Sequence, residues 1–374
     1  MFTTLSEAPI TRGTRVLLRA NLNAPLDGGC ITDTSRILSA LPTLEFLRTQ
    51  GARVIILAHT SEKGASLRPA HQELAKHMPI VFVDDALSAQ GRAVLSGLQD
   101  GECALIENIR NNPGEERNAD AFAQELAKLA DVFVQDDFSV AHRAHASVVG
   151  IPKYLPSFAG LRFAEEFENL SKAFAPEHPA ILILGGAKSK TKLPIAASLA
   201  DTMDSVFIAG ISGNTMLRAQ GRNTGQSAVD DVPHSVVKEV LSKKNVITYR
   251  DALVTDGDGD EYVVSADAVL DDNAIVDAGP ETTAMIVDAV SRAAFVLWNG
   301  PLGFYEKGHT TATHEVARAI AQSKAYSIIG GGDTRSAISS LGLEDGVEFI
   351  STAGGAMLEF LAKKTLPGID ALSH

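Results

Sequence analysis

The sequence predicts an α/β protein of two domains, each built on a parallel sheet, and three observations carry that prediction. At 374 residues the chain exceeds what one hydrophobic core usually supports. Short runs rich in leucine and β-branched residues alternate with segments of helical period, the pattern of parallel strands covered by helices on both faces. Near residues 151–157 the chain changes character: Pro152 and Pro156 stand among aromatics ahead of an amphipathic stretch, and Pro176 and Pro179 follow it.

Taken in order, residues 15–19, 53–57, 80–83, 104–106 and 132–134 read as the strands of the first half. The 37–47 stretch has helical period, with Pro42 either kinking it or lying near its start. Residues 118–130 carry Phe122, Leu126 and Leu129 at helical spacing behind Asn118 as a cap. Residues 159–173 are amphipathic and read as a linker helix. A second α/β series follows, with strands near 181–184, 205–209, 295–298, 326–329 and 348–351. No internal sequence repeat is visible.

Composition narrows the function. With 33 basic and 46 acidic residues the formal net charge is −13, which argues against a protein devoted to nucleic acid or to an anionic membrane surface. An anionic substrate must therefore meet a local basic patch. Cys30 and Cys103 lie far apart without a Cys-x-x-Cys, so neither a zinc site nor a disulfide framework can be read, and a reducing cytosol fits. The N-terminus Met1-Phe2-Thr3-Thr4 lacks a basic start followed by an apolar run, and apolar stretches such as 54–58 or 180–184 are too short to span a bilayer. A cytoplasmic protein without membrane partners is expected.

Glycine is concentrated just after strands of the second half, in Gly185-Gly186-Ala187-Lys188, Gly330-Gly331-Gly332-Asp333-Thr334 and Ala353-Gly354-Gly355-Ala356. Strand, glycines, then helix lets main-chain N–H groups and a helix N-terminus approach a phosphate. One such run is compatible with a mere tight turn; three, with a lysine and an Asp-Thr pair among them, favour a nucleotide site. The chain lacks G-x-x-x-x-G-K-[ST] and a G-x-G-x-x-G opening a first βαβ unit, so a P-loop enzyme and a dinucleotide-binding dehydrogenase are runners-up.

The first half gathers Asn21, Asn23, Arg36, His59, Lys63, Arg110, His142 and Arg143 just past its strands. In an open parallel sheet, residues past several strand ends can converge on one ligand, and the natural partner of these is a small polyanion. The competing reading is a set of solvated side chains on unrelated loops. His142 and His145 could suggest a metal pair, but no carboxylate or cysteine framework accompanies them at ligand spacing.

Three segments of the first half, Arg19-Ala20-Asn21-Leu22-Asn23-Ala24-Pro25, Glu107-Asn108-Ile109-Arg110-Asn111-Asn112-Pro113-Gly114-Glu115-Glu116 and Ala141-His142-Arg143-Ala144-His145-Ala146-Ser147, closely resemble phosphoglycerate kinases. Gly185 to Lys188, Trp298-Asn299-Gly300-Pro301, Gly330 to Thr334 and Ser351 to Ala356 are similar to that family's nucleotide-side motifs, in the same order. The resemblance covers essentially the whole chain. It implies two Rossmann-like domains with parallel sheets, joined by a linker helix and hinge. Residues 1–158 would bind 3-phosphoglycerate or 1,3-bisphosphoglycerate, 159–174 would form the linker helix, and 175–360 would bind Mg-ADP or Mg-ATP. The tail 361–374 would return to the first domain, and a monomer is expected.

Phosphoryl transfer between a carboxylate and ADP has a nucleophile already ionised at neutral pH, so such a site needs no general base; it must align reactants and neutralise spread-out charge. By resemblance, Arg36 and Lys188 contact the transferring phosphoryl, with amides around Gly331, Gly332, Gly354 and Gly355 completing the cradle. Asn21, Asn23, Arg36, His59, Arg110, His142 and Arg143 match the phosphoglycerate side. Lys188, Lys192, Asn299, Pro301, Glu306, Gly330, Gly331, Gly332, Asp333 and Thr334 match the nucleotide side. Within that set Glu306 matches the ribose-binding acid, Asn299 and Pro301 line the pocket, Asp333 holds Mg²⁺, and Thr334 caps its helix and touches phosphate. For Lys192 the alternative is a helix-surface lysine one turn after Lys188. The family resemblance also implies that the domains close over the two ligands.

The chain departs from the family at Asn21, usually Asp, at Glu62, usually Arg, and at Thr191, usually Asp. Ala209-Gly210-Ile211-Ser212 replaces a triple glycine before methionine, Glu281 a lysine and Ala353 a glycine. These departures keep two alternatives open: a catalytically silent nucleotide-binding paralogue, and a kinase of the same chemistry on another acyl phosphate. Asp256-Gly257-Asp258-Gly259-Asp260-Glu261 imitates the start of a calcium loop without its sixth-position glycine and reads as a solvated turn.

Overall fold

The computed structural model describes residues 2–62 and 64–373; Lys63 and the terminal Met1 and His374 lie outside them. The chain forms two compact units, one of residues 1–168 with 365–374 and the other of residues 169–364.

In the first unit six parallel strands lie in the order Val81–Val83, Cys103–Ile106, Arg53–Leu57, Arg15–Arg19, Val132–Gln135, Ser157–Ala159. Side-chain alternation splits this sheet between two cores. Val16, Leu18, Val54, Ile56, Val132 and Val134 face one, while Leu17, Ile55, Leu57, Ala104 and Phe133 face the other. A near-continuous apolar run is what such a strand requires, and Arg15–Arg19 ends it with a fully buried charge at Arg19.

The 37–47 stretch is two helices, Ser35–Ser39 and Leu41–Thr49, because Pro42 sits in the first turn of the second, where its missing N–H breaks no bond. The expected Asn118 cap is corrected: the helix is Asp120–Ala127, with Ala119 at the cap and Asn118 at φ 49°. The expected linker helix starts later than 159, since Ser157–Ala159 pairs with Val132–Gln135 as the sheet's last strand; Leu161–Ser171 is the helix. The helix Gly355–Lys363 runs on past 360 in the second unit and stops at Lys364, with φ 65°. The chain then rejoins the first unit through Pro367–Ala371, where Gly368 N–H donates to the Ala141 carbonyl at 2.8 Å and Leu366, Ile369 and Leu372 are buried.

The second unit carries six parallel strands in the order Val246–Ile247, Ser205–Ile208, Ala180–Leu184, Phe295–Asn299, Tyr326–Gly330, Phe349–Ile350. It adds a three-stranded antiparallel sheet, Glu261–Ser265, Asp251–Thr255 and Ala274–Ala278, that the sequence pattern did not reveal. Glu261–Ser265 is exposed along most of its length, and its apolar run, Tyr262-Val263-Val264, is only three residues long behind an acidic turn. The acidic segment before it is a turn, in which the Asp256 carboxylate accepts from Asp258 and Asp260 N–H at 3.0 Å.

Candidate functional site

In the first unit the polar residues follow the carboxyl ends of neighbouring parallel strands: Asn21 and Asn23 after Arg15–Arg19, His59 after Arg53–Leu57, Arg110 after Cys103–Ile106, and His142 and Arg143 after Val132–Gln135. Short bonds fix their turns. Asn23 Oδ1 accepts from Ser61 N–H at 2.9 Å, and its carbonyl accepts from Arg36 at 2.7 Å. Asn21 donates to Ser139 Oγ at 3.2 Å, and Asn108 Oδ1 accepts from Arg110 N–H at 3.1 Å. Arg143 is exposed, Arg36 and His142 half-buried.

Beneath this face lies a charged layer that sequence reasoning missed. Arg19 is fully buried and pairs with Asp137 at 2.9 Å; its Nε donates to Ser147 Oγ at 3.1 Å and its second amino group reaches His59 Nδ1 at 2.8 Å. Ser147 in turn donates through N–H and Oγ to the buried Glu115 carboxylate, at 2.9 and 2.5 Å. A legible signal was an arginine closing an apolar strand, since a buried charge requires partners. Burial and the nearby arginines push His145 down to about 4 and His59 well below the usual histidine range. Burial also lowers Arg110, and its Nε is buried without a hydrogen bond, the nearest carboxylate oxygen of Glu116 being 3.9 Å away.

In the second unit the glycine runs let strand ends and helix starts approach one another closely. Gly185-Gly186 leads from Ala180–Leu184 into the helix Ser189–Leu199, and Gly186 N–H donates to the Pro301 carbonyl at 2.6 Å. Gly210 packs so closely that a Cβ there would lie 2.4 Å from Gly186 N. Gly331, at φ 100°, opens the helix Gly332–Ser340. These segments meet at a cavity of about 570 Å³ walled by Gly186, Gly210, Ile211, Tyr249, Pro301 and Leu302, with Glu306 and Asp333 among its lining residues. That volume suits a nucleotide-sized ligand.

Lys192 is no surface lysine. It is 6% exposed, donates to the Gly185 carbonyl, and burial pushes its ammonium down to about 8 against the opposing pull of Asp333 and Asp230. Lys188, exposed at φ 69°, precedes the same helix. Two expectations are corrected here. Thr334 does not cap its helix, a position held by Gly331; its buried hydroxyl accepts from Gly300 N–H at 2.8 Å. Asn299 is buried and is not among the residues that line the cavity; its amide lies 3.4 Å from where a Cβ on Gly331 would stand. Among the described residues no group of three or more His, Cys, Asp or Glu could hold a metal ion. Asp333 alone suits Mg²⁺, which takes one or two carboxylates and fills its shell with water and substrate phosphate.

A basic face at strand ends in one α/β unit and a glycine-built cradle in another define a phosphotransferase that works between a nucleotide and a small anion. Similarity is specific. The family description "Phosphoglycerate kinase" matches residues 7–364, and the chain belongs to that family. It is 39% identical to the phosphoglycerate kinase of Moorella thermoacetica, over 96% of each chain, and 39% identical to that of Brucella melitensis, over 100% of this chain and 99% of the relative. The solved phosphoglycerate kinase of Coxiella burnetii superposes with a TM-score of 0.86 at 35% identity, covering 100% of this chain and 99% of that one. That of Pyrococcus horikoshii gives 0.86 at 27% identity. The enzyme class is accordingly a kinase with a carboxyl group as acceptor.

Proposed function

We propose that the chain catalyses reversible, Mg²⁺-dependent phosphoryl transfer between 1,3-bisphosphoglycerate and ADP, giving 3-phosphoglycerate and ATP. The carboxylate nucleophile is ionised at neutral pH, so the residues are asked to position and neutralise rather than to move a proton. Asn21, Asn23, His59, Arg110, His142 and Arg143 hold phosphoglycerate. Pro301 and the cavity walls take the nucleoside, Glu306 the ribose, and Lys192 with the amides of Gly330 to Gly332 the phosphates. Arg36, Lys188 and the amides of Gly331 and Gly354 meet the phosphoryl in flight. Asp333 would hold Mg²⁺, which supplies positive charge to the nucleotide phosphates. A cytoplasmic monomer with no macromolecular partner completes the reading; no helix among the described residues is long and apolar enough to cross a membrane.

The observation that carries the phosphoglycerate side is Arg110, a cation drawn out of water whose Nε is left without a hydrogen bond, beside a face rich in other donors. Such a group calls for an anion. Arg110→Met tests it in an assay with ATP, Mg²⁺ and 3-phosphoglycerate. The KM for 3-phosphoglycerate rises about tenfold or more while that for ATP changes little. A KM for 3-phosphoglycerate that stays at the wild-type value would remove Arg110 from the site.

A further inference from the structure

We propose that Arg19 is a positioning residue for phosphoglycerate: it holds His59 in the tautomer that carries its proton on Nε2, so that the ring meets the substrate as an uncharged N–H donor. The identity of the ligand rests on the function proposed above; the tautomer does not. The geometry begins with a one-way bond. Arg19 lies 2.8 Å from His59 Nδ1, and a guanidinium has five donors and no acceptor, so Nδ1 must accept. In a neutral imidazole the proton then resides on Nε2. A protonated ring would set N–H against N–H at that contact.

Arg19 cannot easily turn away. Three of its other four donors are taken by Asp137 at 2.9 Å, the Ala20 carbonyl at 2.8 Å and Ser147 Oγ at 3.1 Å. Ser147 Oγ gives its own proton to Glu115, so toward Arg19 it can only accept. Among the described residues the carboxylate that pairs with the ring is Asp137, which stands 3.8 Å from Nδ1, beyond hydrogen-bond reach, and is already engaged by Arg19. Among the described residues the other charged or titratable groups facing His59 are Arg110 and Arg143, which oppose a positive ring as burial does, and His145, itself uncharged above about pH 4. His59 Nε2 makes no hydrogen bond to the described residues, which leaves its N–H for a ligand. A neutral donor among arginines gives direction to a bound oxyanion without adding another like charge to a crowded cationic layer.

The test is ¹⁵N NMR of the full-length enzyme labelled at histidine, with His59 assigned through His59→Gln. Expected are a pyridine-type Nδ1 and a pyrrole-type Nε2 that persist from pH 8 to pH 5.5. A proton on Nδ1, or a ring that titrates near 6.5, overturns the proposal without touching the phosphoglycerate assignment. Addition of 3-phosphoglycerate then shifts Nε2 far more than Nδ1; an unchanged Nε2 overturns the ligand role and leaves the tautomer standing. Arg19→Met raises the KM for 3-phosphoglycerate by about tenfold or more with a smaller change for ATP, and frees the ring to titrate. Arg19→Lys, which keeps a donor to Nδ1, restores the wild-type tautomer. Because Arg19→Met strands a buried Asp137, Ser147→Ala provides a milder loosening, in which His59 shows a mixture of tautomers. Wild-type tautomer populations in both Arg19→Met and Ser147→Ala would show that Arg19 does not set the ring.

Discussion

Burial draws Lys192 out of water and pushes its ammonium down to about 8, so its charge is present at neutral pH and lost just above it. A phosphate bound there favours the charged form, and nucleotide affinity therefore falls as pH rises through about 8. Lys192→Met should raise the KM for ATP about tenfold or more and abolish that alkaline dependence; a KM that climbs through pH 8 in the variant as in wild type would assign the titration to another group. In the function proposed above Arg36 and Lys188 act on charge that matters mainly in the transition state, so Arg36→Ala and Lys188→Ala should each lower kcat by about 10² with smaller effects on KM. Undiminished turnover in both would remove them from the reacting centre. At this scale the sequence was informative wherever a charge stood after a strand. Lys192 was left between surface and site because helical spacing alone does not say which face is buried. Arg19, Asp137, Glu115 and Ser147 were missed because their partners lie 32 to 128 residues apart along the chain.

The helix Leu161–Ser171 begins on a buried carboxylate. Asp136 Oδ1 accepts from Arg162 N–H and from Thr43 Oγ1 at 2.9 Å, while Thr43 Oγ1 accepts from Leu161 N–H at 3.2 Å. A Cβ on Gly160 would stand 2.2 Å from the same oxygen. Burial raises Asp136 to about 7. The folded unit thus binds a proton that the unfolded chain releases near 3.9, and this contribution to stability is full below about 4 and lost as pH rises through about 7. Asp136→Asn keeps an oxygen for the helix N–H and removes the charge. Its unfolding midpoint relative to wild type should therefore improve from pH 5 to pH 8, by roughly 3 °C or more. A pH-independent difference would show that Asp136 is ionised throughout. Parallel strands were legible as elements because they are buried on both faces and read as apolar runs. The strand at Ser157–Ala159 was not, being short and proline-flanked, and neither was the antiparallel sheet at 251–278, whose apolar runs are only three residues long and abut Asp251, Glu261 and Asp277.

Each unit has its own buried core, so ligands should stabilise the chain selectively. Calorimetry is expected to show 3-phosphoglycerate raising the transition of the first unit and Mg-ATP that of the second. Deleting residues 365–374 removes Leu366, Ile369 and Leu372 from the first unit and should lower its transition alone, each side chain contributing about 1.5–3 kcal/mol when fully buried. Equal loss in both transitions would contradict the assignment of that segment. The division into two α/β units was readable from length and from the change of character near 151–157, whereas the place where the chain crosses back, at Thr365, depends on where a helix ends, which periodicity locates poorly. Transfer to a carboxylate leaves an acyl phosphate, and hydroxylamine traps acyl phosphates as hydroxamates. The most direct measurement is therefore to incubate the full-length protein with ATP, Mg²⁺, 3-phosphoglycerate and hydroxylamine. One hydroxamate should form for each ADP, with neither formed when 3-phosphoglycerate is omitted. ADP released without hydroxamate, or no ADP at all, would contradict phosphoryl transfer to the phosphoglycerate carboxylate.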